Sequence, residues 1–320
     1  MNMSLGKILK IGVPAALAGV FSLTSFGFAD YAMGIKPQTL EEAWAWQADH
    51  YDVSWYQDTD PVEYTIESYD GYTLHVVLMH SLKKKESEAV SASPDAEKKS
   101  PERYVICSHG YTDNRYGTLK YAKIYLDLGC NVIAYDLRGH GKNEKTFCTY
   151  SARESKDLNC LIEDTYQRCG QDIVLGLHGE SLGSATSIAV LGYTQKPAFV
   201  VADCGFADIE NVLKGGLKAM NPALAFMLKP ASLAAKLKYG YSFSEMKPVN
   251  ALPENKVPIL FIHGSADTFI SPDNSKRMQE ATGGYSELHL IPGAAHAKSI
   301  LTDHDSYVKY VEEFLRKIGM

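Results

Sequence analysis

Residues 173–191 read Ile173-Val174-Leu175-Gly176-Leu177-His178-Gly179-Glu180-Ser181-Leu182-Gly183-Ser184-Ala185-Thr186-Ser187-Ile188-Ala189-Val190-Leu191. An apolar, strand-like run leads into Gly179-Glu180-Ser181-Leu182-Gly183, and a run of small and apolar residues follows. This is strand, sharp turn, helix, with a G-x-S-x-G at the junction, the pattern of a nucleophile elbow. The turn is so tight that Ser181 takes a strained backbone conformation. Glycines two before and two after it avoid collision with the neighbouring strand and helix. The Ser181 hydroxyl is then lifted above the sheet, facing the first amides of the helix.

A serine hydroxyl needs a base within reach, and the base needs an orienting carboxylate. Both must come from strand ends on the same edge as Ser181. His296 follows the last apolar run, Ser286 to Ile291, in a loop rich in glycine and alanine. Asp267 follows the preceding run, Pro258 to Ile262, giving the order Ser, Asp, His. The chain has ten histidines. His109, His140, His178 and His263 lie beside strand ends and are read as loop-holding groups. His304 is a rival base inside the last helix, and Asp203 and Asp273 are rival acids. The backbone amides of Leu182, after the nucleophile, and Tyr111, after the strand ending at Cys107, are the expected donors to an oxyanion.

Working outward, strands alternate with helices, which implies right-handed crossovers and a parallel sheet. A hairpin comes first, Val62 to Ser68 and Tyr72 to Met79 around Asp70-Gly71. Strands follow at Arg103 to Cys107, Asn131 to Tyr135 and Ala198 to Ala202. Helices are expected at Tyr116 to Leu128, Ser155 to Cys169, Pro272 to Ala281 and Ser299 to Ile318. Residues 207–250 interrupt the rhythm with helical stretches broken at Pro222 and Pro230. They are read either as helical core or as a small cap with apolar residues lining an acyl pocket. Residues 82–101, rich in lysine, glutamate and serine, are expected to form a solvated loop.

Lys7 and Lys10 precede an uncharged run from Ile11 to Ala29, closed by Asp30. Residues 1–30 therefore read as a signal peptide or a membrane anchor, with a helix packed on the domain as a third option. Either of the first two places the protein membrane-anchored or secreted on the extracytoplasmic side, with membrane association through residues 11–29; a cytoplasmic location is the alternative. Residues 31–60 are a helical lead-in in which residues 37–56 read as one amphipathic helix; its aromatics, Trp44, Trp46, Trp55, Tyr51 and Tyr56, are expected to be packed, with a membrane interface as the alternative. Residues 61–320 form the main domain.

The net charge of -6 leaves no basic surplus to displace phosphate counterions, which argues against nucleic acid as a partner. None of the six cysteines forms a C-x-x-C pair. A disulfide among Cys148, Cys160 and Cys169 is an open alternative to free thiols. There is no metal constellation and no phosphate-cradling G-x-G-x-x-G, so no cofactor is expected.

Five signatures now stand in order: Ser108-His109-Gly110-Tyr111-Thr112-Asp113-Asn114, Asp136-Leu137-Arg138-Gly139-His140-Gly141, Leu177 to Gly183, His263-Gly264-Ser265-Ala266-Asp267 and Gly293-Ala294-Ala295-His296. On these the chain resembles the α/β-hydrolase superfamily over about residues 60 to 318, within it the bacterial serine hydrolases with an N-terminal apolar segment. The resemblance implies a mostly parallel sheet with helices on both faces and a small helical cap. It implies a triad of Ser181, Asp267 and His296 with Tyr111 and Leu182 as oxyanion donors. Arg138 to Gly141 is then a structural turn. The expected reaction is hydrolysis of a small-molecule carboxylic ester through an acyl-serine. An amide-cleaving or acyl-transferring enzyme is the alternative, and a non-catalytic, membrane-tethered binding module a remote one.

Overall fold

The computed structural model describes residues 22–81 and 101–320. Most of the proposed signal or anchor segment and nearly all of the lysine-rich loop at 82–101 lie outside the described residues. No helix among the described residues is long and apolar enough to cross a membrane. The described residues divide into two compact units: residues 22–34 with 209–246, and residues 35–81 and 101–208 with 247–320.

The larger unit is built on eight strands: β1 (Val62–Glu67), β2 (Thr73–Met79), β3 (Arg103–Ser108), β4 (Asn131–Tyr135), β5 (Val174–Glu180), β6 (Phe199–Asp203), β7 (Ile259–Gly264) and β8 (Ser286–Ile291). They lie in the order β1-β2-β4-β3-β5-β6-β7-β8. The hairpin strands pair antiparallel and all strands from β4 to β8 pair parallel. Strands β3, β4, β6 and β7 are almost wholly apolar because both faces are covered, and successive residues alternate between them. Val105, Cys107, Val132, Val201 and Leu260 pack in one core cluster with helical residues such as Tyr121, Tyr125, Ile300, Tyr307 and Val311. Ile106, Ile133, Leu177, Val200 and Phe261, of opposite parity, are also buried.

The larger unit's helices are α2 (Leu40–His50), α3 (Leu119–Asp127), α4 (Glu154–Cys169), α5 (Leu182–Ala189), α8 (Asp273–Ala281), α9 (Ser299–Thr302) and α10 (His304–Lys317). Several expectations need correcting. The lead-in is not one helix: α2, started by a Thr39–Glu42 capping box, stops at Tyr51 and a 3₁₀ turn spans Ser54–Thr59. The last helix is split, because the Asp303 side chain accepts from the Ser306 amide and starts a new helix at His304. His178 holds no loop. It lies within β5, fully enclosed, hydrogen-bonded to the hydroxyls of Tyr125 at 2.8 Å and Tyr307 at 3.2 Å.

The lead-in aromatics are packed: Trp55 and Tyr56 are buried, and Trp44 meets Tyr56 and Tyr116 edge to face, each at 5.2 Å. All six cysteines are free. In the Arg138 signature, the guanidinium is buried and forks between Asp157 and the hairpin-turn Asp70, so it ties the turn to α4.

The smaller unit is helical: residues 22–33 (α1), α6 (Ile209–Met220) and α7 (Leu228–Tyr239). Asn221 caps the 3₁₀ turn at Pro222–Met227 by accepting from Ala223 N at 2.9 Å. Pro230 does not break a helix. It sits in the first turn of α7, where a missing N–H costs no helical hydrogen bond. Phe28 meets Phe243 edge to face at 6.4 Å, and Asp30 pairs with Lys238 at 2.7 Å and with the Tyr239 hydroxyl at 2.6 Å.

The β5–α5 turn leaves no room for a side chain on either flank. A Cβ on Gly179 would stand 2.2 Å from the Gly183 carbonyl oxygen, and one on Gly183 would stand 2.1 Å from the Ser108 carbonyl oxygen. Both obstacles are backbone, which cannot swing away. Gly183→Ala is expected to destabilise the larger unit by about 3 kcal/mol, at the upper end of ordinary overpacking. Calorimetric unfolding checks this, and an unchanged melting temperature contradicts it.

Candidate active site

Ser181 sits between β5 and α5 with φ 52° and ψ −109°, a conformation that side chains other than glycine rarely adopt. The surrounding structure enforces it: the Ser181 amide donates to the Asp203 carbonyl at 2.9 Å, and its carbonyl accepts from Ala185 at 3.0 Å. Such a residue costs about 1–3 kcal/mol and persists only where its neighbours over-determine it. The strain aims the hydroxyl out of the turn.

Two strand-end loops interlock to bring the partners. The Ala266 amide donates to the Ala294 carbonyl at 3.0 Å, and the Gly293 amide donates to the Ser265 hydroxyl at 2.9 Å. Gly264 permits this approach, since a Cβ there would stand 2.3 Å from the Ala294 oxygen. As a result Ser181 Oγ lies 2.9 Å from His296 Nε2, and His296 Nδ1 lies 2.7 Å from Asp267 Oδ2. A carboxylate only accepts, so Nδ1 carries the proton and Nε2 is left to accept from the Ser181 hydroxyl. The Phe269 ring stands edge-on to the His296 ring at 5.0 Å.

Asp267 has four donors. The amides of Phe269 and Ile270 donate to Oδ1 at 2.9 and 2.8 Å, and His296 and His263 face Oδ2 at 2.7 and 3.2 Å. Burial by itself would raise this carboxyl. The hydrogen bonds from His263 and His296 and the Ile270 amide outweigh it and hold Asp267 well below the usual carboxylate range. His263 is the part that sequence reasoning left out, having read it as holding a loop. Its Nε2 also faces the Ile270 carbonyl at 2.8 Å, so that nitrogen is the donor and Nδ1 accepts from Ser275 at 2.7 Å. The signal was available in the i, i+4 spacing of His263 and Asp267 at one strand end.

The rivals are placed elsewhere. His304 is exposed at the start of α10, and Asp273 is exposed in the first turn of α8. Asp203 is enclosed beneath the elbow, where Oδ2 accepts from the Tyr121 hydroxyl at 3.0 Å and Oδ1 accepts from Ser299 Oγ at 3.3 Å. Of the expected oxyanion donors, Leu182 is the first residue of α5, where an amide has no acceptor within its own helix. Tyr111 follows Gly110, and a Cβ on Gly110 would lie 3.7 Å from Ser181 Cβ, so the loop backbone runs beside the nucleophile. The loop is held by Gln38 N to Thr112 O at 2.7 Å. Among the described residues no group of three or more His, Cys, Asp or Glu side chains is gathered to hold a metal ion.

With the strand order, the elbow and this hydrogen-bonded chain in view, the chain belongs to the α/β-hydrolase superfamily, and it is a hydrolase of that class. Residues 99–246 match the family model described as serine aminopeptidase, S33, and residues 219–315 match the dienelactone hydrolase family. The uncharacterized protein YqkD of Bacillus subtilis is 33% identical over 218 residues, covering 67% of this chain and 71% of that one. Among solved structures, an esterase of Pyrococcus furiosus superposes with a TM-score of 0.65 at 20% identity, covering 89% of this chain and 98% of that one. An acylaminoacyl peptidase of Pyrococcus horikoshii gives a TM-score of 0.57 at 16% identity, covering 80% of this chain and 41% of that one. At such identities the two structures speak for the fold.

Burial, and after it the charge of Glu180, raises Asp203 to about 6. A carboxyl whose folded value lies above its unfolded value of about 3.9 gives stability that is complete below pH 4 and lost as pH rises through 6. Asp203→Asn removes that titration. The stability of the parent relative to this variant is expected to fall by about 2–3 kcal/mol between pH 4 and pH 8, read from urea unfolding midpoints. A difference that stays constant across that range contradicts the assignment.

Proposed function

We propose that the protein is a serine hydrolase that cleaves carboxylic esters through an acyl-Ser181 intermediate. The observation that carries this reading is the unbroken chain from Ser181 Oγ through His296 to Asp267, at 2.9 and 2.7 Å. In the proposed reaction, His296 Nε2 takes the Ser181 proton as Oγ bonds to the ester carbonyl carbon. The Asp267 carboxylate steadies the imidazolium. The negative oxygen is received by the amides of Leu182 and Tyr111. When the intermediate collapses, the C–O bond to the alcohol breaks and His296 returns the proton to the leaving oxygen. Water then repeats the sequence against the acyl-serine, releasing the acid and restoring the Ser181 hydroxyl.

Two features favour an ester over a peptide with a free amino terminus. The carboxylates flanking the elbow, Glu180 and Asp203, are engaged with Lys120, Tyr121 and Ser299 and so are not offered to a substrate ammonium group. The side chains grouped near the loop are aromatic: Tyr111 stacks on Tyr150 at 6.0 Å and Tyr150 meets Phe206 at 6.4 Å. They suit an apolar substituent. The amide-cleaving alternative draws on the description of the matched family, serine aminopeptidase.

A fluorophosphonate probe is expected to label the parent, and Ser181→Ala is expected to abolish labelling and lower ester kcat by about 10⁴-fold or more. Labelling that persists in the alanine variant overturns the nucleophile. Paired p-nitrophenyl esters and p-nitroanilides of the same acyl group decide between ester and amide, with the esters expected to turn over faster.

A further inference from the structure

Glu180, the residue immediately before the nucleophile, is 6% exposed. Its Oε2 lies 2.5 Å from Lys120 Nζ and accepts from the Tyr121 hydroxyl at 2.5 Å. Both partners stand in the first turn of α3, the helix into which the Gly110 loop runs through a 3₁₀ turn at Arg115–Thr118. Its other oxygen forms the floor under Gly110, where a Cβ would lie 3.0 Å from Oε1. The Tyr121 hydroxyl continues to Asp203 at 3.0 Å, and Asp203 reaches Ser299, three residues beyond His296, at 3.3 Å. One buried polar chain therefore joins the oxyanion loop, the elbow and the histidine loop.

This arrangement is a poor way to gain stability. An enclosed ion pair gives up so much hydration that apolar replacements often match or exceed it. The Lys120 ammonium is enclosed, packed 5.0 Å from the centre of the Tyr121 ring and 5.6 Å from that of Trp46. What the pair supplies is direction. Paired charges at 2.5 Å fix the start of α3 against the strand end that carries Ser181.

We propose that Glu180, through its ion pair with Lys120 and its hydrogen bond from Tyr121, is a positioning residue that sets the backbone donors of the Gly110–Tyr111 loop against the nucleophile. The role rests on the serine hydrolase reading above. Donors aimed at a developing oxyanion matter in the transition state far more than in the bound substrate. Loosening them therefore lowers kcat and leaves KM nearly unchanged.

The test uses the full chain and two variants. Lys120→Met with Glu180→Gln exchanges the ion pair for neutral groups, so neither member is left buried without its partner. Tyr121→Phe removes one hydroxyl. Hydrolysis of p-nitrophenyl butyrate, the rate of fluorophosphonate labelling and inhibition by an alkyl trifluoromethyl ketone are measured for each. The double variant is expected to fold, to lose about 10–100-fold in kcat with KM within about 3-fold, and to lose ketone affinity by the same factor as kcat/KM. Tyr121→Phe is expected to lose about 3–10-fold in kcat. A folded double variant whose kcat stays within about twofold of the parent, or whose loss falls on KM, overturns the proposal. If the double variant does not fold, Tyr121→Phe decides: a kcat within about twofold of the parent overturns the proposal. A parent that takes no label overturns the hydrolase reading and this role with it, whereas variants that label as fast as a labelling parent overturn this role alone.

Discussion

The backbone contact at the end of β5 is the constraint on which the rest depends. Gly183 lies against the Ser108 and His109 carbonyls and Gly179 against Gly183, so strand, turn and helix meet at a separation that no Cβ permits. That separation forces Ser181 into positive φ and presents its hydroxyl at the strand end. It also sets the start of α5, and with it the Leu182 amide, beside the loop that follows β3. The rigidity comes from the sheet, whose central strands are enclosed on both faces and leave the turn nowhere to relax.

Around that turn the protein keeps several carboxyls in different states by giving each a different environment. Asp267 receives four donors and stays well below the usual carboxylate range although it is buried. Asp203, fully enclosed, and Asp113, half-buried, lie near the charge of Glu180, and burial first, then that charge, raises both to about 6. Lys120 is opposed by burial, yet Glu180 raises it above its ordinary value. The carboxyl best able to steady a charged imidazole is thus the one that His296 touches. Those carrying protons more readily lie beneath the nucleophile, where an uncompensated charge would be costly.

Much of this was legible in the residues. Central parallel strands such as Phe199–Asp203 are continuous apolar runs, and their length and spacing mark them plainly. The elbow was legible because its demands are local and steric. Less was legible where a short-range signal admitted two outcomes. Pro230 signals a break because proline ends helices, yet in a first turn it is tolerated. Asp303 reads as one polar residue in a helical run, although its side chain starts a new helix. His178 groups with the loop-holding histidines because it stands near a strand end, but two tyrosines from distant helices enclose it.

The amino-acid order by itself determined the strand–turn–helix at Ser181, because strand, serine and helix are contiguous and the clash of Gly179 with Gly183 lies within the turn, although the approach of Gly183 to Ser108 is set by the sheet. It also limited the partners to a handful of acids and histidines at strand ends. Only the tertiary structure decided among them. Ser181 meets His296 across 115 positions, and His296 meets Asp267 across 29, so the outcome rests on how two loops interlock at Gly264 and Ala294. The same holds for Glu180. An acid in a glycine-rich turn gives no hint of its counter-ion, since the choice of Lys120 depends on where α3 packs against the sheet.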